Sequence, residues 1–268
     1  MKGIENISNK NIVLTGCTSG IGREILRQLA DPKLNNIILA VSRSAEEKLK
    51  GYADNVSTLN ADITKPEDID RIFEKAEAMF DKIDIYYNNA GDPFYEQYSY
   101  TDWERTSYMF KLNAIAPAYM YTKYLNHLNG RDGHLCYTVS CIGLMALPGY
   151  ALYTASKFGL QGFQQAIRLE KPKNLKLTCL YPVGTDTNFF NAAGAIADFE
   201  KPWPIMKPKT IATQMVHGMA RGAKQVFPVC WCLVYPFMVV IPPVKHAYWA
   251  LETAKLNRYL DKIKHLEK

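Results

Sequence analysis

The sequence predicts a doubly wound α/β domain, in which helices cover both faces of a parallel seven-stranded sheet, followed by a C-terminal apolar and amphipathic helical extension. Three observations support this fold class. Short apolar runs alternate with segments of helical periodicity over the first 180 residues. A glycine-rich turn follows the first apolar run, and an uncharged stretch precedes a basic C-terminus. Alternation of this kind is typical of βαβ units and a buried parallel sheet.

The apolar runs and the periodic segments set the predicted order of elements. Strands are predicted at residues 11–16, 36–41, 56–59, 83–87, 133–140, 175–181 and 225–229. Helices are predicted at residues 21–30, 66–80, 101–128, 150–170 and 210–221. We expect the segment 101–128 to form two helices broken near Asn113, and 188–199 to form a short helix in an irregular region.

The length and composition fit one packed domain with a short appendage. The chain has 268 residues, of which 48% are hydrophobic and 22% charged, and this excludes a disordered chain, a collagen and a coiled coil. We predict a main domain over 1–229, with a lid over its pocket at about 182–209, and an appendage over 230–268. Six cysteines without a C-x-x-C pair make a metal site unexpected.

The charge is concentrated at the C-terminus. The net charge is +6, and the last 24 residues hold six Lys and Arg against three acids. A basic tail after an apolar stretch favours an anionic membrane surface, and the lack of a Lys/Arg run among aromatics argues against a nucleic-acid partner. The polar N-terminus without an apolar core and the unpaired cysteines predict a cytosolic protein, with the inner face of a membrane as the alternative location.

The C-terminal extension admits two interpretations. Residues 226–244 are 19 uncharged residues, but four prolines within them (Pro228, Pro236, Pro242 and Pro243) disfavour a membrane-spanning helix. Apolar residues then recur at helical spacing among Lys and Arg, at Trp249, Leu256, Tyr259, Leu260, Ile263 and Leu266. This basic amphipathic helix packs over the pocket or against a second subunit of a homo-oligomer, or it attaches the protein to a membrane surface.

A glycine-rich turn lies between the first strand and the first helix. Its sequence runs Thr-Gly-Cys-Thr-Ser-Gly-Ile-Gly, over residues 15–22. Glycines let the backbone approach a pyrophosphate, and the N-terminus of a helix offers free N–H groups and a partial positive charge. The spacing differs from the G-x-G-x-x-G fingerprint of dinucleotide-binding proteins. Taken alone, the turn is therefore open to a second interpretation, as a tight turn that serves only packing.

Four motifs in order resemble the short-chain dehydrogenase/reductase family, which has a Rossmann-like fold. They are Thr-Gly-x3-Gly-Ile-Gly, Asn-Asn-Ala-Gly over 88–91, Ser140 with Tyr-x3-Lys over 153–157, and Asn113 in Lys-Leu-Asn-Ala. The resemblance covers roughly the first 190 residues. It implies cofactor contacts from Gly16, Thr18, Ser19, Gly20, Ile21, Gly22, Asn89, Ala90 and Gly91, and a catalytic set of Asn113, Ser140, Tyr153 and Lys157.

The spacing of the catalytic set is chemically reasonable. Tyr153 and Lys157 are four residues apart, so they share one face of a helix. A free Tyr has a pKa of about 10, and a nearby ammonium group lowers it by stabilising the phenolate. Ser140 ends a strand, where it can hold a substrate oxygen. The resemblance implies that Lys157 also holds the cofactor ribose and that Tyr153 also contacts the cofactor. It further implies that Asn113 holds a water molecule of a proton relay.

The end of the second strand predicts the cofactor. An acid there would bind the ribose 2′-hydroxyl of NAD. Ser42 stands in that place, and Arg43 beside it can pair with a 2′-phosphate, so NADP(H) is favoured over NAD(H). Asp62 and Ile63 resemble the family's contact to the adenine ring, with a turn or N-cap acid as the alternative for Asp62.

The loop after the sixth strand departs from the family pattern. Family members show Pro-Gly-x3-Thr, whereas this chain has Pro-Val-Gly-Thr-Asp-Thr over 182–187. Pro182 and Thr187 match, so we expect Pro182, Thr185 and Thr187 to contact the nicotinamide amide. Val183 replaces the expected glycine, which leaves the backbone shape of the loop open.

These features predict an NADP-dependent oxidoreductase that acts on the carbonyl or secondary alcohol of a small molecule. Apolar residues in the lid, among them Phe189, Phe190, Ile196 and Phe199, favour an apolar or lipid-like substrate. The alternative is a catalytically silent, cofactor-binding protein at a membrane. A sugar-nucleotide epimerase is less compatible, since little chain remains for its substrate domain.

Overall fold

One parallel sheet organises the protein. The computed structural model describes residues 3–99, 101–187 and 200–266. The strands of the described residues are β1 Asn11–Thr15, β2 Ile37–Ser42, β3 Val56–Asn60, β4 Ile85–Asn88, β5 Gly133–Thr138, β6 Leu175–Leu180, β7 Gly184–Thr185, β8 Ile205–Met206 and β9 Gln225–Val226. Seven of them form a parallel sheet in the order β3-β2-β1-β4-β5-β6-β9, and β7 pairs with β8 separately. The predicted fold class is confirmed.

Helices connect the strands and cover both faces of the sheet. Those of the described residues are α1 Gly20–Leu29, α2 Ala45–Lys48, α3 Pro66–Met79, α4 Trp103–Phe110, α5 Ala116–Leu128, α6 Ala151–Glu170, α7 Pro208–Ala220, α8 Val229–Val240 and α9 Pro242–Leu266. Pro66 begins α3 and Pro208 begins α7, where the missing N–H would have no helical partner. The short helix predicted at 188–199 lies outside the described residues.

The alternation of side chains along β1 explains why its sequence is apolar throughout. Ile12 and Leu14 pack on one face, in a cluster that includes α1 and α7 residues. Val13 packs on the opposite face, in a cluster that includes residues of α3, α5 and α6. A strand covered on both faces has no polar side, so it gives a continuous apolar run.

The two helices predicted on either side of Asn113 are present, but the chain does not break between them. Residues Lys111–Ile115 form a π-helical turn that joins α4 to α5 without a break. Pro117 has no N–H to donate to the carbonyl four residues earlier, which is that of Asn113. A local widening of the helix accommodates this lost hydrogen bond, and the chain continues in the same direction.

The uncharged stretch 226–244 begins as β9 and continues as a helix. Pro236 lies inside α8, and the sharp turn comes only at Pro242, where α9 starts. The carbonyl that Pro236 leaves without its helical donor is that of Cys232, which is exposed, so water can satisfy it. Within the described parts of the chain, no single helix is long and apolar enough to cross a membrane, although α8 and α9 meet that test together as a pair bent by 113°.

The apolar side of α9 packs onto the domain. Leu256 and Tyr259 are buried in a cluster that contains Tyr95, whose ring centroid lies 5.0 Å from that of Tyr259. Trp249 donates from Nε1 to the carbonyl of Ala146 at 2.8 Å. This face of the predicted amphipathic helix is therefore occupied by protein, and it is not the surface through which the tail would contact a membrane.

Candidate active site

A cleft of about 450 Å³ lies at the carboxyl edge of the sheet. The strand order reverses between β1 and β4, and ligands of doubly wound sheets bind outside the strand ends at this point. Most of the sequence-predicted site residues line it: Gly16, Thr18, Ser19, Gly20, Ile21, Gly22, Arg43, Asp62, Ile63, Asn89, Ala90, Gly91, Ser140, Tyr153, Pro182, Thr185 and Thr187. Lys157 and Asn113 are buried directly behind this wall.

The glycine-rich turn is shaped by close backbone contacts. Gly16 has a φ of 67°, and a Cβ there would lie 2.6 Å from the Cα of Ala90. A Cβ on Gly22 would lie 2.1 Å from the carbonyl oxygen of Gly16. The absence of side chains at these two positions leaves the backbone at the N-terminus of α1 free to approach a bound group, which is the geometry of a pyrophosphate site.

Asn89 holds the turn against the next strand. Its Nδ2 donates to the carbonyl of Gly16 at 2.9 Å, and its Oδ1 accepts from Thr138 Oγ1 at 3.0 Å. The backbone N–H groups of Asn89 and Ala90 both donate to Thr15 Oγ1, at 3.1 and 3.2 Å. The Asn-Asn-Ala-Gly motif therefore ties together the ends of β1, β4 and β5.

Arg43 bridges the two sides of the cleft. It donates from NH2 to Asp92 Oδ2 and from NH1 to the Tyr108 hydroxyl, both at 3.2 Å. The Tyr108 hydroxyl also donates to Asp92 at 2.8 Å. Burial and the adjacent Asp92 raise the pKa of Tyr108 to about 12, so the phenol stays a donor. The Arg43 side chain is 63% exposed, which leaves its guanidinium accessible to an anion.

Asp62 lies at the cleft wall, but its carboxylate serves a turn. Its Oδ1 accepts from the N–H of Thr64 at 3.1 Å and from Thr64 Oγ1 at 2.8 Å. Its own N–H donates to Asp68 at 2.8 Å. The Asp62 carboxylate therefore stabilises a turn, which is the alternative given for it above. Asp62 and Ile63 both still line the cleft.

Ser140 has a backbone conformation that is unusual for its residue type. Its φ is 103°, in the region that favours glycine, and such strain is concentrated at functional sites. Its Oγ donates to the carbonyl of Pro182 at 3.3 Å and accepts from the N–H of Ile142 at 3.3 Å. These contacts fix the hydroxyl at the cleft, beside the Tyr153 hydroxyl with which it forms a hydrogen bond.

Tyr153 and Lys157 lie one turn apart on α6. Burial raises the pKa of Tyr153 above its ordinary value, and the hydrogen bond with Ser140 opposes this shift. The Lys157 ammonium group lies 5.7 Å from the centroid of the Tyr153 ring and donates to the carbonyl of Thr138 at 3.0 Å. Burial lowers the pKa of Lys157 to about 7, against the opposing effect of Asp92.

Asn113 is fully buried on the π-helical turn. Its Nδ2 donates to the carbonyl of Asp92 at 3.1 Å and contacts the sulfur of Met109 at 2.8 Å. Its Oδ1 has no hydrogen-bond partner within the described residues and faces Gly91, where a Cβ would lie 2.7 Å from it. Asn113 therefore offers its side-chain oxygen as an acceptor beside Gly91, where the Lys157 ammonium group also lies.

The loop after β6 has a regular shape despite Val183. Val183 is not among the described residues with positive φ, so a glycine is not required there. The close contact falls one residue later, because a Cβ on Gly184 would lie 2.8 Å from the side chain of Ile205. Thr185 and Thr187 both line the cleft, and the Thr185 Oγ1 donates to the carbonyl of Val183 at 2.9 Å.

The other half of the cleft is apolar, and most of its residues had no sequence signal. It is lined by Ile142, Met145, Leu147, Tyr150, Trp203, Trp231 and Tyr248. Trp231 comes from α8 and Tyr248 from α9, far along the chain from the motifs. Asp92 and Tyr108 were also missed, although Asp92 directly follows Asn-Asn-Ala-Gly and could have been expected at the same strand end.

The residues present fit a nicotinamide dinucleotide. A Cβ at Gly16 or Gly22 would clash with backbone atoms, so only glycine allows the tight turn that a pyrophosphate site requires at the N-terminus of α1. Arg43 lies at the end of β2, where the ribose of an adenosine would bind. Ser140 and Tyr153 lie at the other end of the cleft, next to the apolar half. The arrangement can hold an extended cofactor with one end beside a hydroxyl pair that binds a substrate oxygen.

Comparisons with known proteins agree with this geometry. Residues 10–196 match the family model described as short chain dehydrogenase. The 11-beta-hydroxysteroid dehydrogenase of Pinus massoniana is 26% identical over an alignment 277 residues long. The alignment covers 96% of this chain and 77% of that protein.

Two solved structures show the same fold. A 3-ketoacyl-(acyl-carrier-protein) reductase from Brucella melitensis complexed with NADH has a TM-score of 0.72 and 23% identity, covering 82% of this chain and 97% of that one. An alcohol dehydrogenase from the archaeon Thermococcus sibiricus complexed with 5-hydroxy-NADP has a TM-score of 0.69 and 20% identity, covering 82% and 95%.

The fold and the cleft define a dinucleotide-binding oxidoreductase of the doubly wound class. More specifically, the chain belongs to the short-chain dehydrogenase/reductase family, since the family model matches well over half of the chain. It is accordingly an NAD(P)-dependent oxidoreductase of alcohol and carbonyl groups.

Proposed function

We propose that the protein is an NADP(H)-dependent oxidoreductase that interconverts a ketone and a secondary alcohol on an apolar skeleton, with Tyr153 as the proton donor and acceptor. The observation that carries this proposal is the meeting of Ser140, Tyr153 and Lys157 at the boundary between the polar and apolar halves of one cleft. A reacting carbonyl would lie there with its oxygen at the hydroxyl pair and its skeleton in the apolar half.

The chain's own residues handle the oxygen and its proton. A nicotinamide held at this end of the cleft would supply or accept the hydride at the substrate carbon. In the reductive direction the Ser140 hydroxyl donates a hydrogen bond to the carbonyl oxygen, and Tyr153 transfers its phenolic proton to that oxygen as the alcohol forms. The Lys157 ammonium group stabilises the phenolate that remains. A proton returns to Tyr153 by way of Lys157 and a water held at Asn113, as in the family.

The alcohol-oxidising direction reverses these roles. Tyr153 then accepts the proton of the alcohol, so it has to be a phenolate when the reaction begins. Burial raises the pKa of Tyr153, which favours the phenol and hence reduction at neutral pH. We therefore expect the ratio of oxidation rate to reduction rate to rise with pH.

The apolar half of the cleft supports a substrate with an apolar skeleton. It is walled by aromatic and aliphatic side chains, and Trp203 is held by the hydroxyl of Tyr248, which donates to its carbonyl at 2.8 Å. A relative named for hydroxysteroid oxidation is compatible with a rigid, apolar ketone. The predicted lid residues Phe189, Phe190, Ile196 and Phe199 lie outside the described residues, so the proposal depends on the wall just named.

Arg43 supports the preference for NADP(H). Its guanidinium is the cationic group beside the β2 end, where an acid would be needed to bind a free 2′-hydroxyl. A 2′-phosphate offers it a better partner than Asp92, because a doubly charged phosphate forms shorter and stronger hydrogen bonds. Binding of NADP(H) would therefore exchange one ion pair for another and leave Asp92 with Tyr108.

Hydride transfer by the purified protein tests the proposal. NADPH and NADH are each offered with a series of ketones of rising apolar size, from a small water-soluble cyclic ketone to a steroid ketone. We expect kcat/KM to rise with apolar size and to favour NADPH by at least about tenfold. The variant Arg43→Ala should abolish that preference mainly through weaker NADPH binding. No turnover of any ketone, with intact NADPH binding, would instead favour the silent cofactor-binding protein.

A further inference from the structure

Helix α8 is apolar on every side, yet only one side is covered. Its twelve residues, Val229–Val240, contain no charged side chain. Trp231 and Met238 are buried in the core of the domain, and Val234 and Tyr235 pack against it. A helix that is apolar all round is normally enclosed by protein or by lipid, so the uncovered side requires an explanation.

The uncovered side is a continuous stripe. Val229, Leu233, Phe237 and Val240 recur at helical spacing, and their side chains are 63%, 65%, 59% and 77% exposed. Ile241 and Val244 extend the stripe around the bend into α9, and both are exposed. We call these six residues the elbow surface. Isolated exposed apolar residues are ordinary on a protein surface, but a contiguous row of them marks an interaction site.

Lysines lie beside the elbow surface. Residues 201–251 contain six Lys and Arg and no Asp or Glu. Lys245 follows Val244 directly, and its Nζ lies 4.9 Å from the centroid of the Trp249 ring. Lys207 follows Met206, whose sulfur lies 3.5 Å from that of Cys230 on α8. An apolar surface with a basic rim and no acid in this part of the sequence complements anionic lipid headgroups.

We propose that the elbow surface docks the protein on an anionic lipid bilayer. The apolar side chains of α8 insert at the boundary of headgroups and acyl chains, and the lysines meet the headgroups. A second copy of the chain is a poorer partner, because the two basic rims would face each other and repel. The bend of 113° between α8 and α9 also places the apolar residues at a corner and not along one straight helix, which suits insertion better than a flat interface.

Docking in this orientation brings the bilayer next to the substrate cleft. The inner face of α8 supplies Trp231 to the cleft wall, and α9 supplies Tyr248. One helix therefore separates lipid on its outer side from the apolar half of the cleft on its inner side. This consequence depends on the proposed function: an apolar ketone dissolved in the bilayer would reach the cleft around α8 without passing through water.

Flotation of the full chain with lipid vesicles tests the docking. Vesicles of phosphatidylcholine with about one fifth phosphatidylserine are compared with vesicles of phosphatidylcholine alone. We expect the protein to float with the anionic vesicles, and less so as salt is raised, since salt screens the lysines. The double variant L233E/F237E should weaken vesicle binding on the order of a hundredfold, because it removes two large apolar side chains from the contact.

A matched control separates the elbow surface from general surface hydrophobicity. Leu169 on α6 is 90% exposed and lies outside α8 and α9, so Leu169→Glu should bind vesicles as the original chain does. L233E/F237E should keep its melting temperature and its turnover of a water-soluble ketone, because neither residue lines the cleft. The single variant Val240→Glu provides a second measurement if the double variant misfolds.

Two results would overturn the proposal. One is flotation that is absent in the original chain or unaffected by the elbow variants. The other is a dimer, seen by light scattering without lipid, that L233E/F237E dissociates, since the elbow surface would then belong to a second copy. Turnover of the water-soluble ketone is measured in the same preparations, so failure of the oxidoreductase proposal would be seen separately from failure of docking.

Discussion

The two halves of the cleft are built in different ways. The polar half is formed where β1, β2 and β4 end, by residues that follow each strand within a few positions. We call it the cofactor half, and the apolar half the substrate half, after the proposed function. The substrate half is formed by Ile142 and Met145 after β5, by Trp203, and by Trp231 and Tyr248 from the C-terminal helices. The first half depends on turn chemistry and the second on long-range packing.

The two constructions tolerate different substitutions. The glycine cradle has backbone atoms within 3 Å of the positions that side chains would occupy, so it admits almost no change. The substrate wall consists of apolar side chains, and substitutions that conserve their volume are usually tolerated. We therefore expect substitutions at the boundary and in the cofactor half to cause the largest losses, and those in the substrate wall the smallest.

The largest effect is expected at the boundary of the halves, with Tyr153→Phe. Removing the phenolic proton donor should lower kcat by about a thousandfold or more, whereas NADPH binding should stay within about threefold. Tyr150→Phe is the matched control, because the two rings have centroids 6.2 Å apart and the Tyr150 hydroxyl has no partner within the described residues. Normal turnover by Tyr153→Phe would refute the proposed mechanism.

A large structural effect is expected in the cofactor half, with Gly22→Ala. The added methyl group would lie 2.1 Å from a backbone oxygen that cannot move away freely. We expect a loss of about 1–3 kcal/mol in the free energy of unfolding and strongly weakened NADPH binding. Gly162→Ala on α6 has nothing within 4 Å of its new methyl group and should stabilise the protein by about 0.5–1 kcal/mol. Equal effects of the two variants would contradict the close-contact argument.

An intermediate effect concerns the buried ammonium group of Lys157. Burial lowers its pKa to about 7, whereas a Lys in the unfolded chain titrates near 10.4. Between these values the unfolded chain binds a proton that the folded chain lacks, so this group makes stability rise with pH from about 7 to about 10. In Lys157→Met this rise with pH should be absent. The difference in unfolding free energy between the original chain and the variant should therefore change with pH, by a few kcal/mol at most.

Urea unfolding at pH 6, 8 and 9.5 measures this difference. Lys176→Met, at an exposed position on β6, is the control, and its effect should be the same at each pH. A Lys157→Met curve parallel to that of the original chain would show that the ammonium group is not desolvated in the folded protein.

The smallest effect is expected in the substrate wall, with Tyr248→Phe. It removes the 2.8 Å hydrogen bond that holds the backbone of Trp203, which is worth about 1 kcal/mol. We expect the substrate KM to rise by up to about fivefold with kcat and the Kd of NADPH unchanged. Tyr119→Phe, whose hydroxyl bonds Asp70 instead, should change none of the three. A fall in kcat for Tyr248→Phe would mean that a change in the substrate wall also affects the catalytic residues, against this prediction.

The residues predicted from the sequence for the cofactor half do line the cleft, because their sequence signals are local. A strand end, a turn and a helix start are short-range features, and Gly16, Arg43 and Asn89 each lie beside one. Most of the apolar wall was not identified, because an apolar residue such as Trp231 has the same sequence pattern whether it faces a core, a cleft or lipid. Trp203 was the exception, since it was predicted as part of the lid. The junction at Asn113 was predicted as a break, because periodicity alone does not distinguish a π-helical turn from the end of a helix.

The side chain of Asn89 has a consequence for the thermodynamics of ligand binding. Its amide joins the glycine turn to β4 and β5 through bonds that do not depend on any ligand. The phosphate cradle is therefore ordered before the nucleotide arrives, and binding does not have to supply the conformational entropy of forming it. Calorimetry of nucleotide binding should accordingly show a heat-capacity change no larger than that of the contact surface alone, without the signature of coupled folding.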